Sequence, residues 1–123
     1  MRIYRVAVTV GCSTCADCTG GRWVCRKVAM SCWKFGLFAG MVISAGRIDP
    51  VPGTDFAGIW GGATRPEWRR RGIYRALTAA RARSALRMGK KYINSDSTEF
   101  SRPILERSGL VRVSTTTPYN WAR

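Results

Sequence analysis

The pattern of apolar and polar residues becomes regular from Met41 onward. Small and apolar residues dominate two runs, 42–51 and 56–64, which the residues Pro52-Gly53-Thr54-Asp55 separate. Two such runs on either side of a turn cluster predict an antiparallel hairpin with a short loop. The glycines of the second run, FAGIWGGAT, indicate a bulge or a close backbone approach.

The longest helix is predicted over residues 72–88. One of its faces carries small or apolar side chains at helical spacing: Ile73, Leu77, Ala80, Ser84 and Met88. Gly89 follows as a stop signal. A short strand at 92–94, a helix at 102–107 capped by Ser101, and a strand beginning at 110–114 complete the order strand, strand, helix, strand, helix, strand.

The first 41 residues differ in character. Only residues 6–10 suggest a strand, and residues 11–34 show no period of 2 or 3.6. This segment holds all five cysteines of the chain: Cys12, Cys15, Cys18, Cys25 and Cys32. The first three have metal-ligand spacing, but the two following gaps of six residues fit neither a zinc ribbon nor a ferredoxin pattern. We therefore expect no metal site.

Composition narrows the classes of function. A chain of 123 residues is a single small domain, and with no His it has neither a Ser-His-Asp site nor a His-containing zinc site. Its net charge of +14 favours an anionic partner, either a nucleic acid, a membrane surface or a phosphorylated small molecule. No apolar segment reaches the roughly 20 residues of a membrane span, so we expect a cytoplasmic protein with no membrane partner.

A phosphate-binding signal lies where the long helix begins. The residues Arg69-Arg70-Arg71-Gly72-Ile73-Tyr74 follow a predicted strand and open the helix. The first turn of a helix has unpaired N–H groups and a partial positive charge, and a glycine lets a ligand approach the backbone. The segment therefore predicts a diphosphate site, with a solvated arginine loop as the alternative.

Residues 42–121 resemble the GNAT superfamily of acetyl-CoA-dependent N-acetyltransferases, whose cofactor motif is Arg/Gln-x-x-Gly-x-Gly/Ala. Arg69–Tyr74 matches that motif, except that Arg70 stands where Gly is usual and Tyr74 replaces the last small residue. The segment SRPILERSGL at 101–110 is similar to the family's fourth helix and the step into the next strand, with Leu110 in place of Phe.

The resemblance implies an α/β (α+β) fold of the acyl-CoA N-acyltransferase type, with a mixed, mostly antiparallel sheet flanked by helices. It implies transfer of an acetyl group from acetyl-CoA to a primary amine, through a splay between the family's fourth and fifth strands. The backbone of Ala63 and Thr64 would contact the pantetheine. The diphosphate would be held by Arg69, Arg70, Arg71, Gly72, Ile73 and Tyr74.

The catalytic groups are less clearly implied. The Tyr that often protonates the leaving thiolate in this family aligns with Leu105, so that acid is absent. Ser101 and Tyr119 are the polar substitutes, although a helix cap and an edge residue are their structural alternatives. Asp55 is the candidate general base, and Glu67 and Glu99 are the other acids considered.

Residues 1–41 resemble no part of the family, so we divide the chain into an atypical Cys-rich segment, 1–41, and a partial GNAT-like domain, 42–123. We expect a truncated or frame-disrupted acetyltransferase whose hairpin lacks its neighbouring strands. The exposed edge would permit a homodimer. A nucleic-acid-binding module and an inert gene remnant are the alternatives. The first would use Trp68 and these bases: Arg65, Arg69, Arg70, Arg71, Arg75, Arg81, Arg83, Arg87, Lys90 and Lys91.

Overall fold

The computed structural model describes the backbone of residues 3–9, 22–28 and 31–121, and the side chains of residues 34–121. The elements in these ranges are β1 (Ile3–Thr9), β2 (Arg22–Val28), β3 (Ser31–Phe38), β4 (Met41–Pro50), β5 (Phe56–Thr64), a 3₁₀ turn (Pro66–Trp68), α1 (Ile73–Arg87), β6 (Tyr92–Ser97), α2 (Arg102–Glu106) and β7 (Val111–Thr116). The element order predicted from residue 41 onward is confirmed. The 3₁₀ turn lies between the predicted strand 56–64 and the predicted helix 72–88.

The strands form one sheet in the order β2-β3-β4-β5-β6-β1-β7. All neighbours pair antiparallel except β5 and β6, which are parallel. Parallel neighbours need a crossover connection, and α1 supplies it. The predicted α/β class, with a mixed and mostly antiparallel sheet flanked by helices, is confirmed.

The expectation that the hairpin lacks a neighbouring strand is wrong. β3 pairs with β4 through a two-residue turn at Ala39-Gly40, whose φ values are +47° and +78°. This pairing closes the edge of β4, and β2 pairs with the other side of β3. The sequence does alternate in β3, where bulky residues stand at every second position, but the irregular cysteine segment before it hides that short pattern.

One hydrophobic cluster joins the sheet to both helices. Buried side chains from β4, β5 and β6 contribute Ile48, Ala57, Ile59 and Ile93, and the remaining members are Ala85, Leu105 and Leu110. In α1 the buried residues are Leu77, Thr78, Arg81, Ser84 and Ala85. The predicted face is therefore shifted: Leu77 and Ser84 are buried, but Ile73, Ala80 and Met88 are only half-buried.

Ser101 stands at the predicted position before α2, but its side chain makes no capping hydrogen bond. Its backbone is helical (φ −88°, ψ −27°), whereas a side-chain cap usually needs an extended residue. Its carbonyl accepts hydrogen bonds from the Ile104 and Leu105 amides, and its Oγ lies 3.4 Å from Thr98 Oγ1. The capping role predicted for its hydroxyl is wrong.

Candidate active site

β5 and β6 separate partway along their length. They pair at Phe56–Tyr92, Ala57–Ile93 and Gly58–Asn94, and the pairing ends there although both strands are described to their C-terminal ends. β5 stays hydrogen-bonded to β4 as far as Thr64, and β6 stays paired with β1 as far as Ser97. The two C-terminal halves therefore border a wedge-shaped gap within the sheet, and we call it the strand gap.

The indole of Trp60 lies where the strand gap begins. A Cβ placed on Gly58 would come within 2.6 Å of Trp60 Nε1, so the ring lies along its own strand over that glycine. Gly58 belongs to the last β5–β6 pair, and a larger residue there would displace the indole. Sequence analysis predicted a close approach in this run but did not identify its partner.

A bulge lies in β5 beside the strand gap. The register with β4 shifts between Ala45 and Arg47, so that β5 holds one extra residue near Gly61, whose φ is +54°. Glycine reaches that conformation without the penalty of a Cβ, and the bulge re-aims the strand from this point. The bulge predicted from the glycines of this strand is confirmed.

The N-terminus of α1 opens onto the same end of the sheet as the strand gap. Gly72 occupies the N-cap with φ +75°, and the first helical hydrogen bond runs from the Ala76 amide to the Gly72 carbonyl. The amides of Ile73, Tyr74 and Arg75 therefore precede the hydrogen-bonded ladder and have no acceptor within the helix. Together with the dipole of a 15-residue helix, they make this helix start a candidate site for an anion, which we call the anion site.

The arginines before α1 have different roles. Arg69 Nε donates to the Thr64 carbonyl at 3.2 Å, which ties the loop to the end of β5. Arg71 lies over the ring of Trp68, 5.0 Å from its centroid. Arg70 is exposed and has φ +60°, at the position where the resembling family usually has Gly. That left-handed backbone explains why glycine is preferred there.

The carbonyls of Ala63 and Thr64, which the resemblance assigned to the pantetheine, already accept hydrogen bonds from protein side chains. Ser44 Oγ donates to the Ala63 carbonyl at 2.7 Å and lies 3.0 Å from Thr64 Oγ1, while Arg69 occupies the Thr64 carbonyl. The Ala63 carbonyl faces β4, where Ala63 is also paired with Ala45. A carbonyl oxygen has two lone pairs, so the Thr64 carbonyl can accept one donor besides Arg69. Sequence analysis missed Ser44.

Arg81 is buried beneath the bulge, with 1% of its surface exposed. Its guanidinium donates to the Trp60 carbonyl at 3.4 Å and to Thr78 Oγ1 at 3.3 Å, and lies 5.8 Å from the centroid of the Tyr74 ring. Burial lowers the pKa of Arg81, and the interaction with Tyr74 partly offsets this. Its predicted place on an exposed nucleic-acid surface is wrong.

Two glycines make room for that side chain. A Cβ on Gly46 would come within 3.0 Å of Arg81 Nη1, and one on Gly62 within 2.8 Å of the Tyr74 ring and 3.2 Å of Arg81 Nη2. Gly46 belongs to β4 and Gly62 to β5, and both lie opposite Arg81 of α1. A sequence signal existed, because Arg81 falls between Leu77 and Ala85 at four-residue spacing.

The structure does not bring the three catalytic candidates together. Asp55 precedes β5 and pairs with Lys91 at 3.0 Å, whereas the anion site follows Thr64, nine positions and about 30 Å along the strand. Tyr119 is 91% exposed in the segment after β7. Ser101 is half-buried and follows the C-terminal end of β6, which borders the strand gap.

The other candidate residues have these positions. Leu105 is fully buried in the hydrophobic cluster. Glu67 is exposed 3.8 Å from Arg65 Nη1, and Glu99 is exposed between β6 and α2. Cys12, Cys15 and Cys18 lie outside the described residues, as do the side chains of Cys25 and Cys32. Among the side chains that the structure describes, no three potential metal ligands form a group. Neither described helix has the length and hydrophobicity that crossing a membrane requires.

No family model matches the sequence, and no curated protein matches it. Solved structures match the fold. A GCN5-related N-acetyltransferase from Kribbella flavida superposes with a TM-score of 0.76 at 14% identity, over 94% of this chain and 56% of that protein. AAC(6')-Iy, in complex with the bisubstrate analogue CoA-S-monomethyl-acetylneamine, has a TM-score of 0.66 at 19% identity, over 78% and 72%.

An acetyltransferase from Trypanosoma brucei has a TM-score of 0.67 at 19% identity, over 76% of this chain and 70% of that protein. The chain thus spans 56 to 72% of the length of these three structures. The fold is that of the GNAT superfamily.

Proposed function

We propose that this chain binds acetyl-CoA in the strand gap and transfers the acetyl group to a primary amine. One observation carries the proposal: the β5–β6 pairing ends at Gly58–Asn94, and α1 begins at that same open end with amides that have no helical acceptor. An extended ligand with a diphosphate at one end matches both features. The GNAT fold and the CoA-containing analogue bound to AAC(6')-Iy support the choice of cofactor.

In this proposal the diphosphate binds the amides between Arg69 and Arg75, and the pantetheine follows β5 towards Trp60. Ala63 and Thr64 supply backbone groups along that path, and Arg69 holds the loop in place through the Thr64 carbonyl. The thioester then lies between β5 and β6, where the sheet offers unpaired strand edges.

The reaction is an acyl transfer in which the lone pair of a neutral amine forms the new C–N bond at the acetyl carbonyl. The C–S bond breaks, the electron pair leaves on sulfur as a thiolate, and the amine proton passes to a base or to water. We keep Ser101 as the candidate hydroxyl for the leaving thiolate, because it follows the β6 end of the gap. Asp55 lies at the other end of β5 and has no part in this proposal.

The proposed acceptor class is an amine, and aminoglycoside-like amines are the first compounds to assay because the bisubstrate analogue in AAC(6')-Iy contains acetylneamine. We place the reaction in the cytoplasm. Thiol release from acetyl-CoA across a panel of amines would measure turnover, and the Ser101→Ala variant would test the role of that hydroxyl. A variant that keeps the full rate would remove Ser101 from the mechanism.

Cofactor binding is tested by a matched pair of substitutions at the two ends of α1. Gly72 and Gly89 have φ values of +75° and +71°, and a Cβ at either would meet open space. We expect Gly72→Ala and Gly89→Ala each to lower the free energy of unfolding by about 1 kcal/mol. Only Gly72→Ala should weaken CoA binding, by at least about tenfold, because its methyl group would occupy the anion site.

Isothermal titration calorimetry with CoA measures both variants against the unaltered chain. Equal losses of affinity in the two variants would contradict the placement of the diphosphate. Absence of CoA binding to the unaltered chain, together with salt-dependent binding of single-stranded DNA, would instead favour the nucleic-acid alternative.

A further inference from the structure

We propose that Phe38, Trp68 and Arg71 form a binding site for the adenosine 3′-phosphate end of CoA, an inference that rests on the proposed function. We call these three residues the aromatic step. The aromatic step would make this chain bind CoA more tightly than it binds shorter phosphopantetheine compounds.

The backbone places the aromatic step beside the anion site. Trp68 ends the 3₁₀ turn immediately before Arg69, and Phe38 ends β3 at the two-residue turn into β4. The Arg65 amide donates to the Ile43 carbonyl of β4 at 2.9 Å, which joins the loop to the hairpin. A ligand whose diphosphate contacts the start of α1 can therefore reach these rings with its next groups.

The geometry of the aromatic step suits a flat ring and a phosphate. The Phe38 and Trp68 rings have centroids 4.7 Å apart at an interplanar angle of 50°, and the Arg71 guanidinium lies 5.0 Å from the Trp68 centroid. Stacking on an indole orients a guanidinium and leaves its N–H groups available to a phosphate. Aromatic faces next to arginine are the usual platform for a nucleobase.

The surface around the aromatic step is apolar yet open to solvent. Phe38 is 51% exposed, and Met41, its partner across the turn on the same face of the sheet, is 39% exposed. Exposed apolar side chains in one cluster mark interaction sites more often than isolated ones do. A purine covering this cluster would bury that surface and would remain connected to the diphosphate.

Charge complementarity selects the phosphorylated nucleotide as the occupant. Arg71 lies within ion-pair distance of no carboxylate among residues 34–121, and the same holds for Arg70 and Arg75. The nearest acid in sequence, Glu67, is directed to Arg65. A 3′-phosphate carries close to two negative charges at neutral pH, which fits an oriented guanidinium without a carboxylate partner.

The test compares three ligands on the unaltered chain by calorimetry: CoA, 3′-dephospho-CoA and 4′-phosphopantetheine. We expect CoA to bind at least about tenfold more tightly than 3′-dephospho-CoA, with 4′-phosphopantetheine weaker still. Equal affinities for CoA and 3′-dephospho-CoA would overturn the phosphate assignment, and 4′-phosphopantetheine binding as tightly as CoA would overturn the site. Absence of binding by all three would overturn the proposed function itself, and this inference with it.

Variants then assign the contacts. We expect Arg71→Ala to remove the preference for CoA over 3′-dephospho-CoA, and Trp68→Leu and Phe38→Ala to weaken both nucleotides while leaving 4′-phosphopantetheine unchanged. Arg107→Ala and Trp121→Leu are matched controls, because both residues are exposed and lie outside the loop and the hairpin. Loss of 4′-phosphopantetheine binding in Trp68→Leu, or equal effects in the controls, would contradict the aromatic step. Thermal melting checks that each variant is folded.

Discussion

The two ends of β5 are built in opposite ways. At its N-terminal end, Lys90 Nζ donates to the Val51 and Thr54 carbonyls at 2.8 and 2.6 Å, and the backbone amides of Lys91 and Tyr92 both donate to the Asp55 carbonyl. Phe56 and Tyr92 stack across the strands with centroids 5.0 Å apart. At this end, the carbonyls of the turn before β5 accept hydrogen bonds from donors of the same chain.

At the C-terminal end of β5, β6 is no longer paired with it, and backbone N–H donors of α1 lie nearby without helical acceptors. The pairing with β6 has ended, and α1 begins with amides that have no helical acceptor, beside exposed arginines. The comparison shows that one strand is tightly paired at one end and leaves backbone donors near it without acceptors at the other. The N-terminal end of β5, which we call the closed end, anchors the parallel pair β5 and β6. At the C-terminal end, which we call the open end, an anion would accept hydrogen bonds from the amides that have no helical acceptor.

The largest expected effect comes from Arg81, which supports the open end from below. Arg81→Ala should lower the free energy of unfolding by about 3 kcal/mol, because it leaves a cavity under the bulge and a Trp60 carbonyl without its donor. Arg81→Met should lose only about 1 kcal/mol, since its side chain fills the space without a buried charge. Urea denaturation would measure both. Equal losses would show that the charge, not the volume, is what this position requires.

Glycine-to-alanine substitutions should have different effects at the two ends of β5. Gly62→Ala should cost about 2 kcal/mol, since its Cβ would come within 2.8 Å of the Tyr74 ring. Gly53→Ala at the closed end should cost about 1 kcal/mol, because only its φ of +68° is unfavourable and the space around it is open. Melting temperatures of the two variants would rank them. The reverse order would contradict the close packing under the bulge.

Lys90 and Lys91, at the closed end of β5, should contribute differently to the stability of the fold. Lys90→Met should lower the free energy of unfolding by about 1 kcal/mol, because two turn carbonyls lose a charged donor. Asp55 raises the pKa of Lys91, yet the pair is solvent-exposed, so Lys91→Met should leave the melting temperature unchanged within error. CoA affinity should stay unaltered in both variants. A loss of affinity would connect the two ends of β5 directly.

The smallest expected effect is a stabilisation. Arg70→Gly should raise the free energy of unfolding by about 0.5 kcal/mol, because relief of the left-handed backbone slightly exceeds the entropy that glycine adds to the unfolded chain. Arg65→Gly is the control with φ −54°, where a loss is expected because the entropy term acts without relief of strain and the exposed pair with Glu67 contributes little. Destabilisation in both variants would mean that Arg70 contributes contacts of its own.

The order of elements from residue 41 and the position of the Arg69–Tyr74 segment at the start of α1 could be predicted because their signals are local. The turn at Pro52-Gly53, the glycines flanking α1 and the arginine run each act within a few residues of chain. The expected site at Arg69–Tyr74 accordingly lies where the helix begins. β3 was missed because its short alternation follows an irregular segment.

From residue 41 onward, the amino-acid sequence by itself determined the order and approximate limits of strands, turns and helices, since those limits depend on neighbouring residues. Only the tertiary structure decided which arginine of α1 is buried, because Arg81 fits against Gly46 and Gly62, which belong to two different strands. It alone decided that Asp55 lies far from the strand gap and that β5 and β6 separate after three pairs. The four-residue spacing of Leu77, Arg81 and Ala85 indicates a shared helix face, but burial of the charge and separation of the strands depend on what lies opposite in space.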